Sequence, residues 1–539
     1  MSSPPTATPT PPPASEPPPA RSSREIWTVM GGLVLCLMLA MLDNTVVGPA
    51  LPTIVGDLGG LEHLSWVITG YTLAAAVTAL IWGKIGDLFG RKPALLASIG
   101  IFLAGSALTG LSESMTELIG FRALQGIGAG GLLVGVFATI GELVPPRDRG
   151  RYMGGFSAVM PIAMIGGPLI GGWITDHVSW HWIFYINVPV GLIAAAVVTT
   201  TLHLSGRTRD RARIDWLGAG LLILWAGSAV LLASWAGTQY AWLSGQTAGL
   251  AVIALAGLAV FIVHERRASD PILPLGIFTS RNFSLAGALA FLAGLTMMGA
   301  ATFLPQFQQL VQGMSATNSG LLLLPLMLTM TATATTVGQL MSRTGRTRIF
   351  PLVGGVLLTA SMVAFTTVGV DTTTLATGLM MGVLGIGIGC LMPPSQLIAQ
   401  NSVGLRDMGA AMGATRFLQT MGMSIGTAVM GAVYTSRLAD SLTGTLGARG
   451  ADLVSGGAQI PPSALHALSE PVQDALRLAV TNGIQGVFWV GTAFAVAGVV
   501  VSWLIKEVPL RGSIDQSADE DSEAGTEDSE TGVGSAVTT

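Results

Sequence analysis

The sequence predicts an all-α integral membrane protein with fourteen transmembrane helices, and three observations carry that prediction. Half of the 539 residues are hydrophobic and only 10% are charged, against roughly 25% charged residues in an ordinary soluble domain. Apolar runs long enough for a hydrocarbon core of about 30 Å, which takes about 20 residues, recur along the chain. The charges that remain fall almost entirely between those runs. The 71 glycines and 28 prolines fit the same reading, because membrane helices use Gly for close contact and Pro for breaks. A soluble globular protein is excluded.

Taken in order, residues 1–20 hold nine prolines and no apolar run. We read 1–25 as a disordered Pro-rich leader and not as a cleavable signal peptide. Spans bounded by charged or turn-rich breaks follow at 27–49, 65–86, 94–112, 117–141, 152–174 and 182–203, a first six-helix bundle over 27–203. Spans at 215–236 and 246–264 form an inserted central pair. Spans at 283–305, 317–341, 349–369, 374–398, 407–433 and 483–505 form a second six-helix bundle over 283–505. A long loop at 434–482 interrupts that bundle, and Ser469-Glu-Pro-Val-Gln-Asp474 reads as a helix start near its end. Residues 506–539 are an acidic tail, carrying eight carboxylates and no basic residue after Arg511.

The 26 Lys and Arg residues test the orientation. With the N-terminus cytoplasmic, 21 fall on the cytoplasmic side, Arg122 and Arg416 fall inside spans, and Arg437, Arg449 and Arg477 sit in the long outer loop. That asymmetry is a positive-inside signal with both termini cytoplasmic. Trp27, Trp66, Trp82, Trp173, Trp180, Trp182, Trp216, Trp235, Trp242 and Trp503 cluster at span ends as an aromatic belt. Cys36 and Cys390, the only cysteines, lie inside spans and suggest neither a disulfide framework nor a Cys-based metal site.

A faint internal repeat joins the halves. Gly83-x-x-x-Asp87-x-x-Gly90-Arg91 recurs as Gly338-x-x-x-Ser342-x-x-Gly345-Arg346, offset by 255 residues, as in a transporter built by duplication.

A charge in mid-membrane costs about 2.5 to 3.5 kcal/mol on insertion scales, so each one is a functional candidate. Asp43 lies in the outer part of the first span, where a carboxylate in a low-dielectric cavity can exchange a proton for a substrate. The competing reading is a carboxylate tied up by Thr45 or by helix N-termini. Arg122 opens Arg-Ala-Leu-Gln125-Gly126 on the fourth span. It is either a cation that tunes Asp43 or a structural hub for backbone carbonyls, while Gly126, Gly128 and Gly130 permit close helix approach. Arg416 lies close enough to its span end to snorkel. On the fifth span, Gly167-Pro168-Leu-Ile-Gly171-Gly172 makes either a kinked gate or plain tight packing. Gly83, Asp87, Gly90 and Arg91 make a tight turn in which Asp87 can accept from Arg91 or from a nearby helix N-terminus and so latch the cytoplasmic side.

On these residues the chain resembles the major facilitator superfamily, within it the fourteen-span drug:proton antiporters of the QacA and EmrB type, over about 27–505. The resemblance implies a major facilitator fold. It assigns the acidic first-span motif to Asp43, Asn44, Thr45, Ala50, Leu51 and Pro52, and the loop motif to Gly83, Asp87, Gly90 and Arg91. The fourth-span motif falls on Arg122, Gln125 and Gly126, and the antiporter motif on Gly167, Pro168, Gly171 and Gly172. Ala163 stands where that last motif usually has a glycine, and Ser342 where the second loop copy would have Asp. Asp43 and Arg122 are then expected to serve proton coupling and substrate, with Asn44, Gln125 and Arg416 as secondary candidates.

The implied function is export of a lipophilic drug or antibiotic across the cell membrane by proton antiport. The proton motive force is the energy source, with no cofactor, no metal, no nucleic-acid partner and a monomeric state in the lipid bilayer. Residues 317–341 contain no Asp or Glu, where some relatives that export dications carry one, so neutral, weakly anionic or monocationic substrates are expected. Arginine outnumbers lysine 23 to 3, as in a high-G+C genome, and similar proteins of actinomycetes export antibiotics made by their host. The Met-rich stretches (Met297, Met298, Met327, Met330, Met380, Met381, Met412, Met421 and Met423) are either an adaptable pocket lining or core packing. The alternative within the superfamily is a translocator of lipid or lipid-like precursors. A membrane-bound transferase is a remote alternative, because the six histidines show no catalytic or metal-ligand spacing.

Overall fold

In the computed structural model the described residues are 23–59, 63–145, 148–150, 152, 159–202, 214–236, 240–314, 316–447 and 469–507. Among them lie fourteen helices of fifteen residues or more. These are α1 Ser23–Leu58, α2 Leu64–Phe89, α3 Arg91–Gly110, α4 Met115–Leu143, α5 Val159–His177, α6 Asn187–Thr201 and α7 Trp216–Trp235. The series continues with α8 Gly245–Glu265, α9 Arg281–Leu310, α10 Leu324–Thr344, α11 Ile349–Phe365, α12 Thr374–Asn401, α13 Met408–Leu446 and α14 Glu470–Leu504. Eleven spans among the described residues are long and apolar enough to cross a membrane. The only β pairing described is an isolated bridge between Ala236 and Tyr240.

Polar side chains set several helix starts by accepting from backbone N–H groups that have no partner within the helix. Ser114 caps α4 through Glu117 N–H, Asp215 caps α7 through Gly218 N–H, Ser244 caps α8 through Thr247 N–H, and Thr373 caps α12 through Ala376 N–H. Gly90 turns the chain from α2 into α3 at φ 92°, and Gly345 ends α10 at φ 69°, a backbone region that side chains disfavour. They occupy matching positions of the 255-residue repeat.

Helix ends differ from the sequence reading in three places. The loop expected over 434–482 is helical at its first margin, because nothing between Tyr434 and Leu446 breaks α13 before Gly447, while at its last margin α14 starts directly after Ser469, where the sequence reads a helix start. The sixth span opens with a single turn, Trp182–Tyr185, before α6; Pro189 has no N–H to donate back to Tyr185. The tenth opens with a short helix, Ala316–Leu321, before α10 restarts with Pro325 in its first turn. Residues 1–22 of the leader, 448–468 of the loop and 508–539 of the tail lie outside the described residues.

Helices α1 to α6 pack mainly on one another, and so do α9 to α14, while α7 pairs with α8. Contact between the first and last groups runs chiefly through α13 against α2 and α4. The fourth-span glycines act as expected. A side chain at Gly126 or Gly130 would collide with the α2 backbone at Tyr71 or Ala75, and one at Gly128 with Phe102 of α3. Trp27, Trp173, Trp182, Trp216, Trp242 and Trp503 face outward, but Trp82 and Trp180 turn in and donate to Ile127 O (2.8 Å) and Asp57 Oδ2 (2.9 Å).

Candidate functional site

Asp43 is buried at 1% exposure on α1, facing α4 and α6. Arg122, at 0% exposure on α4, donates from Nη1 to Asp43 Oδ2 at 2.6 Å and to Gln125 Oε1 at 2.8 Å. Gln125 Nε2 and Asn187 Nδ2 each donate to Asp43 Oδ1 at 2.7 Å. Asn187 also reaches Ser106 Oγ of α3 at 3.0 Å, and Ser106 donates to Phe184 O at 2.8 Å. The Arg122 guanidinium lies over the Tyr71 ring, 4.1 Å from its centroid, and the Tyr71 hydroxyl donates to Ala40 O. Three helices, α1, α4 and α6, thus meet at one carboxylate, with α2 and α3 one contact behind. The ion pair compensates both buried charges, and the two amides supply the further donors that such a carboxylate needs.

The antiporter-motif segment braces this site from α5. A side chain at Gly167 would collide with Thr45, and one at Gly171 with Val46 O. Ala163, in place of the usual glycine, still meets α1: its carbonyl accepts from Thr45 Oγ1 at 2.8 Å. Pro168 lies within α5 and faces outward, and a side chain at Gly172 would meet no described residue within 4 Å. Asn44 also faces outward, away from the Asp43 cluster.

A second arrangement closes the end of the molecule that carries residues 83–92, called here the loop end. Asp87 pairs with Arg91, and its two oxygens accept from the backbone N–H groups of Gly409 and Ala410, each at 2.8 Å, at the start of α13. Both expected partners therefore bind it at once, and a helix N-terminus favours the negative charge. Arg91 also donates from Nε to Glu142 Oε1 of α4 at 2.7 Å. Gly83 and Gly409 lie so close that a side chain on either would strike the other's carbonyl. The contact ties the first helix group to the last.

The sequence pattern described as Major Facilitator Superfamily matches residues 33–427. The chain belongs to the Major Facilitator Superfamily. It is 37% identical over 519 residues to an uncharacterized MFS-type transporter of Mycobacterium tuberculosis, covering 96% of this chain and 74% of that one. It is 35% identical over 506 residues to the multidrug transporter protein MdtP of Bacillus subtilis, covering 89% and 93%. Among solved structures, the proton:xylose symporter XylE superposes with a TM-score of 0.60 at 13% identity, over 91% of this chain and 98% of that one. The protein is a multi-pass membrane transporter and not an enzyme.

In this Major Facilitator Superfamily member the remaining candidate cation, Arg416, stands apart from Asp43. It is half-buried on α13 and donates from Nη1 to Gln419 Oε1 at 2.7 Å. Gln419 lies one turn further from the loop end, so the guanidinium points inward and does not snorkel. Met327, Met330, Met381, Met412 and Met421 are buried core residues, as the packing reading expects.

Sequence reasoning missed Asn187, Ser106, Tyr71 and Glu142. Each is an uncharged residue in an apolar run or a charge near a helix end, and neither kind stands out before the helices are brought together. Asn187 had one usable signal, a lone amide just before a proline at the start of an apolar helix.

Proposed function

We propose that this transporter exports lipophilic drugs or an antibiotic from the cell by proton antiport, with Asp43 as the proton site. The single observation that carries the reading is the fully buried Asp43–Arg122 pair with its amide donors. A proton on Asp43 removes the negative charge that holds Arg122, Gln125 and Asn187, so α1, α4 and α6 lose a shared anchor and can rearrange. Deprotonation restores the anchor. Two end states separated by one proton are what alternating access needs. The names borne by relatives such as MdtP support drug efflux as the direction.

The reading includes fourteen spans, divided into bundles 27–203 and 283–505 around the inserted pair 215–264, with both termini cytoplasmic in the plasma membrane. It places the protein among the fourteen-span QacA and EmrB type. Within that type its length and character resemble an actinomycete self-resistance exporter such as that for tetracenomycin. The loop end is then cytoplasmic, and the Asp87 contact to α13 belongs to the half of the cycle closed to the cytoplasm. A membrane potential contributes about 2.3 kcal/mol per charge per 100 mV if the exchange is electrogenic.

The test is drug-induced proton movement in everted membrane vesicles, with Asp43→Asn beside the native protein. Collapse of the pH gradient by lipophilic drugs that vanishes in the variant is the expected result. Normal drug-driven proton movement by Asp43→Asn, at equal protein level, would remove Asp43 from the coupling role. No proton movement by the native protein with any compound would favour lipid translocation.

A further inference from the structure

We propose that Arg416 is the anchor for a negatively charged group on the substrate, so that the transported compounds are aromatic molecules bearing a carboxylate, phenolate or similar anion. The inference rests on the export reading above and narrows it to a substrate class.

Two arginines in the membrane region or at its edge, Arg122 and Arg91, are paired with carboxylates, and a third, Arg149, is met only in part, by carbonyls. Arg122 pairs with Asp43, Arg91 pairs with Asp87 and Glu142, and Arg149 lies against the carbonyls of Val144 and Gly141 that end α4. Arg416 differs. Among the described residues its guanidinium makes one hydrogen bond, to the neutral amide oxygen of Gln419, and no carboxylate pairs with it. The one ionisable neighbour that acts on it is Tyr71 of α2, whose hydroxyl is already bound to Ala40 O. A charge without a counter-charge at this depth is costly and marks a functional site.

The surroundings give the site its direction. Gly413 seats α13 against Ala79 and Leu80 of α2, and Phe417 meets Trp225 of α7 edge-on at 5.4 Å. Gln419 Nε2 contacts Met392 Sδ of α12 at 3.9 Å. Arg416 thus sits on the helix that joins the first and last groups, bound to a Gln419 whose amide reaches Met392 of α12. Met392, partly buried beside Gln419, offers a polarisable thioether of the kind that meets aromatic rings favourably. The Trp225 indole N–H is itself buried without an acceptor. A lipophilic cation would meet two guanidinium groups here and one carboxylate already paired. An aromatic anion would supply the missing charge.

Tyr71 also carries the coupling. Its ring lies beneath Arg122 and its neighbourhood includes Arg416, so a substrate anion on Arg416 sits one side chain away from the Asp43–Arg122 pair.

Fluorescein and rhodamine 123 share a xanthene ring system and differ in the sign of charge. Their binding to the purified full chain in nanodiscs is read by fluorescence anisotropy, for native protein, Arg416→Gln and Arg416→Lys, each first shown to unfold at a native-like temperature. The expected result is a preference of the native protein for fluorescein by about tenfold or more, lost in Arg416→Gln and partly kept in Arg416→Lys, as for removal of one charge-assisted hydrogen bond. Rhodamine binding stays equal or improves in Arg416→Gln. Absence of fluorescein binding to the native protein, a native preference for rhodamine, or unchanged fluorescein binding by Arg416→Gln each overturns the proposal. Binding does not depend on proton flow, so the two readings fail separately. Fluorescein preference without substrate-driven proton movement ends the antiport reading alone, whereas antiport of rhodamine without fluorescein binding ends this one alone.

Discussion

Arg122 serves Asp43 and Gln125 from a single nitrogen while its planar face covers Tyr71. A lysine keeps the charge and several donors on one nitrogen but has no planar face to lay over Tyr71. Arg122→Lys should therefore cut drug-driven proton movement in vesicles at least tenfold while the protein still reaches the membrane, and near-native flux would show that charge alone suffices. Arg122→Gln is a different test. It leaves a buried carboxylate without its cation, a loss of about 3 to 5 kcal/mol for one partner of a buried pair, and should lower the unfolding temperature in detergent. Adding Asp43→Asn removes the stranded charge, so the double variant should recover part of that loss. A double variant no more stable than Arg122→Gln would refute the pairing. Asp43 and Arg122 were legible in the sequence because a charge in an apolar run advertises its cost, and Gln125 through the fourth-span motif of the resemblance. Asn187 was not, since a neutral amide costs less to bury and its role depends on where α6 stands beside α1.

At the scale of elements, the contact between α2 and α13 depends on two kinds of fit. Gly83 and Gly409 let the backbones meet, and Asp87 then reaches the free N–H groups of Gly409 and Ala410. The prediction is that Asp87→Asn, which keeps the shape and drops the charge, shifts the protein toward a state open at the loop end by about tenfold, the weight of one charge-assisted bond. Spin labels at Phe89 and Gly404, with Cys36 and Cys390 replaced by serine, report the distance across that end by pulsed electron resonance. An unchanged distance distribution would mean that packing alone holds the contact. The sequence showed that Asp87 needed an electropositive partner and a tight turn at Gly90, because both follow from local residue types. It did not show which helix start would be used, because Gly409 lies more than three hundred residues away and no local pattern records such a distance. The helix margin at 434–446 was hidden for a related reason: it is polar enough to read as loop, and its helicity follows from continuity with α13, whereas the helix start at Ser469 was legible from its local residues.

Over the whole molecule, the duplication visible in residues 83–91 and 338–346 extends to the surfaces they touch. Gly83 abuts Gly409, in Arg406-Asp-Met-Gly409, and Gly338 abuts Gly150, in Arg147-Asp-Arg-Gly150. The loop end is thus built from two related contacts, and only one carries a carboxylate. At the other, Ser342 stands where Asp would be, with its hydroxyl turned back to Gly338 O and an ideal Cβ at Gly150 only 3.0 Å from it. Next to Gly150, Arg149 is buried at 2% exposure with Nη1 unpartnered among the described residues, and burial pulls its pKa down to about 10. Arg149 still remains charged at neutral pH, so the second contact holds a cation and, among the described residues, no carboxylate paired with it. Ser342→Asp would complete it. The expected outcome is a loop end that opens less often: the same spin-label pair should show a larger closed population, and export at saturating drug should slow, since opening toward the cytoplasm becomes the harder step. Combining Ser342→Asp with Asp87→Asn should restore much of the closed population that Asp87→Asn loses. A Ser342→Asp protein that folds and leaves both distances and flux unchanged would show that the two contacts are alike in shape only, and that closure is governed by Asp87 alone.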